Sequence, residues 1–329
     1  MPEISLAKEY PAWSGDRLYR HARLINAALM AKIHTVEWTP GIIAHPTTVT
    51  GMRGNWWGIV GERARRRLGR IGPSEVVSGI PGSPTDHHGV PYSLTEEFVA
   101  VYRMHPLIPD AFTFRAAASG ELVRDHVEFP QLRLLAGHEL LRELSMANAL
   151  YSFGIANPGA ITLHNYPRFL QQFERPDGKI LDLAAVDVLR IRERGVPRYN
   201  EFRRLFGLKP ARTFAELTDN PRWADEIRRV YDGDVDNVDL LVGLYAEPFP
   251  PGFGFGDTAF RVFVLMASRR LKSDRFFTRD YTPEVYTRAG LEWINDNTLR
   301  SVLLRHFPEL EPALRGVENA FTPWRRADA

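Results

Sequence analysis

Tyr102 and His105 stand three residues apart in the stretch Phe98-Val-Ala-Val-Tyr102-Arg-Met-His105-Pro106-Leu-Ile-Pro-Asp110. At helical spacing they project from nearly the same face of one turn. An imidazole in such a place can ligate a redox metal such as iron, and a phenol beside it can hold a radical. The same pair also serves as a tyrosine and a histidine packed in a core with satisfied hydrogen bonds, and spacing alone does not choose. A second candidate is the cationic end of Phe260-Arg-Val-Phe-Val-Leu-Met-Ala-Ser-Arg269-Arg270. An arginine closing an apolar face suits an amphiphilic carboxylic acid, tail along the face and head on the guanidinium. The competing use of Arg270 is an ion pair with Asp274, four residues on. Arg190, Arg192 and Glu193 read by themselves as a surface ion network. His34 and Thr39 bracket a run that packs Trp38 into a core at a helix end. The adjacent His87 and His88 sit in a polar loop and read as exposed rather than as metal ligands.

Composition narrows the classes. The chain has 329 residues, enough for one large or two ordinary domains with a sizeable core. Its 42 Lys and Arg against 40 Asp and Glu give no general case for nucleic acid as a partner. It has no cysteine, which excludes disulfides, thiolate catalysis and cysteine-ligated metal centres. No basic–apolar–small pattern marks a signal peptide, and no uncharged apolar run approaches membrane-spanning length. The location expected is the cytoplasm, with a peripheral membrane contact left open. Arg63, Arg65, Arg66, Arg67 and Arg70 form the concentrated basic cluster. They read as a solvated helix face or as a contact for anionic lipid head groups.

These residues need elements to position them. Leu18, Ala22, Ile25, Leu29 and Ile33 recur at helical spacing, with Asp16 as a candidate cap, and the helix is expected to end near Pro40-Gly41. Residues 47–91 read as a glycine-, proline- and serine-rich loop with a helical piece at 59–68. Thr95 or Ser93 can cap a helix that carries Tyr102 and His105 and stops at Pro106. Residues 112–128 read as irregular or short β structure with a turn at Gly120, and residues 134–150 as one helix. Asp182 caps a helix ended by Gly195 and Pro197, residues 220–231 form another, and residues 291–304 a later one. The spacing of Asp234, Asp236 and Asp239 resembles a calcium loop only loosely.

The Tyr-x-x-His-Pro-Leu-Ile-Pro-Asp string resembles the proximal-histidine segment of the haem peroxidase–cyclooxygenase superfamily. The wider pattern resembles its fatty-acid α-dioxygenases. Trp13-Ser-Gly-Asp-Arg-Leu-Tyr to Ile33-His-Thr-Val-Glu-Trp-Thr39, the 181–204 run around Asp187 and Arg190, and the 234–247 run match in family order, so the resemblance covers residues 5–324. It implies a mainly α haem peroxidase (cyclooxygenase-like) fold holding haem b. It implies that His105 is the axial iron ligand, that Tyr102 becomes the catalytic tyrosyl radical, that Asp187 accepts the other ring N–H of His105, and that Arg190 pairs with a haem propionate. It further implies that His34, Thr39 and Arg270 hold the fatty-acid carboxylate. A carboxylate partner fixes a ligand histidine's tautomer and raises its basicity, and a bidentate arginine suits a carboxylate. In that family peroxide oxidises the haem, the haem oxidises the tyrosine, and the tyrosyl radical takes an α-hydrogen from the fatty acid. O2 then adds to give a 2-hydroperoxy acid.

The sequence departs from the family where its N-terminal part would supply a distal histidine and a calcium-binding loop. His21 and His34 do not stand in the distal motif's setting. Residues 1–329 are therefore expected to be the C-terminal part of one haem peroxidase-like domain. The forms open to it are a fragment, the partner of a separately encoded N-terminal half, or a degenerate relative. Without distal acid–base groups, peroxide cleavage is expected to be slow. The function expected is a haem-dependent fatty-acid α-dioxygenase in truncated form, acting on fatty acid with O2 or peroxide. A general haem peroxidase or diol-synthase-like oxygenase, and an inactive haem- or lipid-binding helical protein, stay open beside it. The carboxylate anchor, His34, Thr39 and Arg270, is expected to converge on Tyr102.

Overall fold

The computed structural model describes residues 2–87 and 94–327. Ser93 and His88 lie outside the described residues. Helices dominate, and the only strands among the described residues are two two-stranded antiparallel ribbons. No helix there is long and apolar enough to cross a membrane. The chain forms two compact units. One is built from the described residues before 93 together with Ala267–Ala327, the other from residues 94–266.

The first unit is organised around the Gly15–Ile33 helix. Its capping residue is Ser14, not Asp16: the Ser14 side chain accepts from the Arg17 N–H, and Asp16 falls in the first turn, where its charge suits the helix dipole. Ile25, Ala28 and Leu29 line one face and pack with Trp56, Trp57, Leu271, Tyr286 and Ile294. The same helix buries a charge. The Lys32 ammonium donates to the carbonyls of Ile294 (2.7 Å), Asn295 (2.8 Å) and Asn297 (3.0 Å). These are carbonyls at the end of the Arg288–Asp296 helix, which lack partners within it. Two expectations need correction here. The supposed loop contains a twelve-residue helix, Pro46–Trp57, led by Pro46 at the position that tolerates a missing N–H. The expected 291–304 helix is two helices, because Thr298 and Ser301 form a reciprocal cap that starts Leu299–His306 afresh.

The second unit carries the Ala111–Arg115 and Leu122–Glu128 ribbon, bulged between Phe112 and Arg115. Phe114 and Val127 pack with Leu144 and Ala149. The expected 134–150 helix breaks at Ser145, whose φ of +66° no helix interior permits. Downstream, the Leu183–Glu193 helix starts at the Asp182 cap, as its sequence requires. Against it lies the Leu240–Ala246 helix, whose Gly243 faces the Tyr199 ring so closely that a Cβ would sit 2.2 Å away. Arg192, expected in a loose surface network, instead reaches buried Asp239 at 2.8 Å; Arg198 and Tyr231 share that carboxylate.

Candidate active site

Thr95 caps the helix that leads into the site, accepting from the Phe98 N–H, and Glu96 and Glu97 fill its first turn. That helix is only Glu96–Val101. Tyr102 is its C-cap, and His105 opens a separate 3-10 turn, His105–Leu107. Pro106 disfavours helical geometry in the residue before it, and the chain leaves the helix earlier than the spacing suggested. Tyr102 and His105 are thus joined through a bend rather than by one continuous helical face.

The bend seats His105 on a buried carboxylate. Nδ1 of His105 lies 3.1 Å from Oδ2 of Asp187, which has no solvent exposure at all. The Tyr166 hydroxyl donates to the same Oδ2 at 2.9 Å and lies 3.2 Å from the His105 Nδ1. Arg103 Nη1 stands 2.8 Å from Asp187 Oδ1 and supplies the opposing charge. The Tyr245 hydroxyl donates to the Arg103 backbone carbonyl. Burial, and then the charge of Asp187, push the Tyr166 and Tyr245 phenols far above their usual range, so both remain neutral donors.

Close backbone approach brings Tyr166 there. Gly159 donates to the Leu107 carbonyl at 3.0 Å, and a Cβ on it would meet the Pro106 oxygen at 2.0 Å. Asn165 reaches the Pro106 and Ala160 carbonyls. The 159–166 segment is thereby clamped onto the 3-10 turn. Tyr166, Arg103 and Tyr245 were not singled out from sequence. Tyr166 lies in a segment without periodicity, whereas Arg103 was visible inside the Tyr-x-x-His string.

The donor set fits a haem iron. With Nδ1–H directed at Asp187 and Tyr166, the neutral tautomer leaves a lone pair on Nε2, and that nitrogen has no hydrogen-bond partner among the described residues. Tyr102 is 37 % exposed, with its ring stacked on Phe263 (5.8 Å, 16°) and tilted against Phe98 (5.0 Å). Burial raises its pKa, which favours the neutral phenol. Arg190 is exposed one turn beyond Asp187 and pairs with no acid among the described residues.

His34, Thr39 and Arg270 belong to the first unit. His34 opens a π-helical stretch, His34–Trp38, a wide turn of the kind that recurs at functional sites. Its carbonyl accepts both the Thr39 N–H and, at 2.8 Å, the Thr39 hydroxyl. Trp38 is only half-buried and stacks on the His34 ring at 4.7 Å. Burial lowers the His34 pKa and keeps the imidazole neutral. Thr39 is buried, and Arg270 is half-buried in the last turn of Asp257–Ser273. The basic cluster does not form one face: Arg63, Arg66 and Arg67 are exposed, while Arg65 and Arg70 turn inward onto backbone carbonyls.

A histidine held by a buried carboxylate, in a mainly helical fold, is an arrangement a haem peroxidase can use. The animal haem peroxidase model matches residues 4–320, and the chain belongs to that family. Within it, the chain is similar to plant α-dioxygenases. It is 42 % identical to α-dioxygenase 2 of Arabidopsis thaliana over 335 residues, 97 % of this chain and 53 % of that protein. It is also 42 % identical to α-dioxygenase PIOX of Pisum sativum, over 97 % of this chain and 52 % of that protein. The crystal structure of the Oryza sativa fatty acid α-dioxygenase superposes with a TM-score of 0.91 at 39 % identity, covering 98 % of this chain and 55 % of that one. A variant of the rice enzyme solved with palmitic acid gives the same TM-score. Peroxidase A of Dictyostelium discoideum, 20 % identical with a TM-score of 0.71, shares the fold. The chain spans about half the length of the relatives it matches.

Proposed function

We propose that this chain carries the proximal haem site and the substrate anchor of a fatty-acid α-dioxygenase. The observation that carries the reading is His105 held by Asp187 and Tyr166 with Nε2 left for iron. His105 is the axial ligand, Asp187 fixes its tautomer, and Arg190, exposed one turn on, is the partner for a haem propionate. Haem b, when bound, supplies the oxidising power, drawn from peroxide, that converts a phenol to a radical.

Tyr102 loses one electron and its hydroxyl proton. The phenoxyl oxygen then takes a hydrogen atom from the carbon next to the fatty-acid carboxylate, restoring the phenol. O2 adds to the carbon radical, and return of a hydrogen atom from Tyr102 completes the 2-hydroperoxy acid and regenerates the radical. Attack at the α-carbon calls for a substrate held by its carboxylate. Arg270 provides the charge, with neutral His34 and Thr39 as further hydrogen-bonding groups. A neutral imidazole there donates to the substrate without a second positive charge to desolvate.

Incubation of the haem-loaded protein with palmitic acid, peroxide and O2, followed by mass spectrometry, tests the reading. The expected product is 2-hydroperoxypalmitic acid, absent from Tyr102→Phe. Oxygen inserted elsewhere on the chain would favour the diol-synthase-like alternative. Oxidation of small phenols with no fatty-acid product would favour a general peroxidase, and haem binding without turnover an inactive binding protein.

A further inference from the structure

A cavity of about 470 Å³ lies within the first unit, and His34, Thr39 and Arg270 do not line it. Its size falls in the range of small-molecule sites. Trp56, Trp57, Tyr281 and Leu291 give it apolar walls, and Arg65, Arg66, Arg70 and Arg288 bring four positive charges against one carboxylate, that of Glu292. Arg66 is already answered by Asp296 and Glu62. Arg65 and Arg70 are not: neither pairs with an acid among the described residues. Both donate to one acceptor, the Pro81 carbonyl, each at 3.1 Å, so two guanidinium groups meet at a single oxygen. Arg70 also binds the Gly79 and Pro73 carbonyls at 2.8 Å, which fixes it in place.

Three polar atoms of the lining remain. Nε of Arg65, Nε of Arg70 and the Tyr281 hydroxyl are buried and have no hydrogen-bond partner. Buried donors of this kind are rare in folded proteins because each has lost its water, and each requires an explanation. Two like charges brought together, neither of them in an ion pair among the described residues, add to the same deficit. Burial keeps the Tyr281 phenol protonated, hence a donor, across the working pH range. Trp56 meets the Tyr281 ring edge-on at 6.5 Å, so the wall beside the hydroxyl is aromatic.

We propose that this cavity binds an oxyanion with an apolar, ring-sized body, its charged end on Arg65, Arg70 and the Tyr281 hydroxyl and its body against Trp56 and Trp57. A phosphate or a carboxylate satisfies the same donors, and an arginine fork accepts either. The site is separate from the carboxylate anchor at Arg270 and does not depend on that reading.

Calorimetric titration of the full chain with phenyl phosphate, benzoate and inorganic phosphate tests the assignment. The expected result is saturable one-to-one binding of phenyl phosphate or benzoate, at least tenfold tighter than inorganic phosphate; which organic anion binds distinguishes phosphate from carboxylate. Arg65→Gln should weaken binding tenfold or more, and Tyr281→Phe threefold or more, while a change at exposed Arg63, which does not line the cavity, Arg63→Gln, leaves it unchanged. Should Arg65→Gln fail to fold by circular dichroism, Tyr281→Phe decides alone, since removal of an unpartnered hydroxyl leaves the packing intact. No saturable binding of either organic anion, equal binding of inorganic phosphate, or wild-type affinity in Tyr281→Phe would overturn the proposal.

Discussion

At the residue scale the account turns on what Asp187 does for His105. A buried carboxylate with no exposure is stabilised by Arg103 and Tyr166, and what it returns is a fixed imidazole tautomer. Asp187→Asn keeps the shape and removes the charge. It should lower haem affinity about 10- to 100-fold and raise the haem reduction potential, both read by spectroelectrochemical titration. Unchanged affinity and potential would separate Asp187 from the haem site. The contact between His105 and Asp187 was legible in the sequence, but only through the family pattern. The string by itself fitted a packed core pair better than a metal site. Tyr166 was not legible, because contact between the 159–166 segment and the 105–107 turn depends on Gly159 approaching Pro106, which no periodicity encodes.

At the element scale, caps and special backbone positions decided where the sequence could be followed. Asp182 and Thr95 start helices as their types demand. The helix before His105 was read too long, because local geometry before Pro106 outweighed the apolar period. The 47–91 stretch was read as loop because glycine and proline counts obscured Met52, Trp56 and Trp57, which fix Pro46–Trp57 to the core. Lys32 shows the energetic side of element packing. Burial depresses its pKa from 10.5 to about 8. The unfolded chain therefore binds the proton more tightly than the folded one between those values, so this group makes stability rise with pH from about 8 to 10.5. Below pH 8 both states are charged and the desolvation cost is fully present. Urea denaturation across that window should show wild type gaining about 1–3 kcal/mol relative to Lys32→Met. A flat difference would show that the three carbonyl bonds fully offset the desolvation.

At the scale of the whole molecule, fold class and family were legible because the motifs recur in order along nearly the whole chain, and the family match over residues 4–320 agrees. The two-unit arrangement was not, since the first unit is closed by a segment that returns at Ala267. The substrate anchor is a prediction of the same scale: loss of the Arg270 guanidinium should weaken palmitate binding by about 2–5 kcal/mol, roughly 30-fold or more, and leave haem absorption unchanged. Equal palmitate affinity in Arg270→Ala would remove the α-carbon assignment and leave the haem site intact.

The central claim is that His105 ligates haem iron through Nε2. Titration of haem into the protein, followed by the Soret band, addresses it most directly when His105→Ala is measured beside wild type. The account predicts a saturable histidine-ligated Soret spectrum in wild type and its loss in His105→Ala, with free imidazole restoring it. An identical Soret band and haem affinity in the two proteins would contradict it.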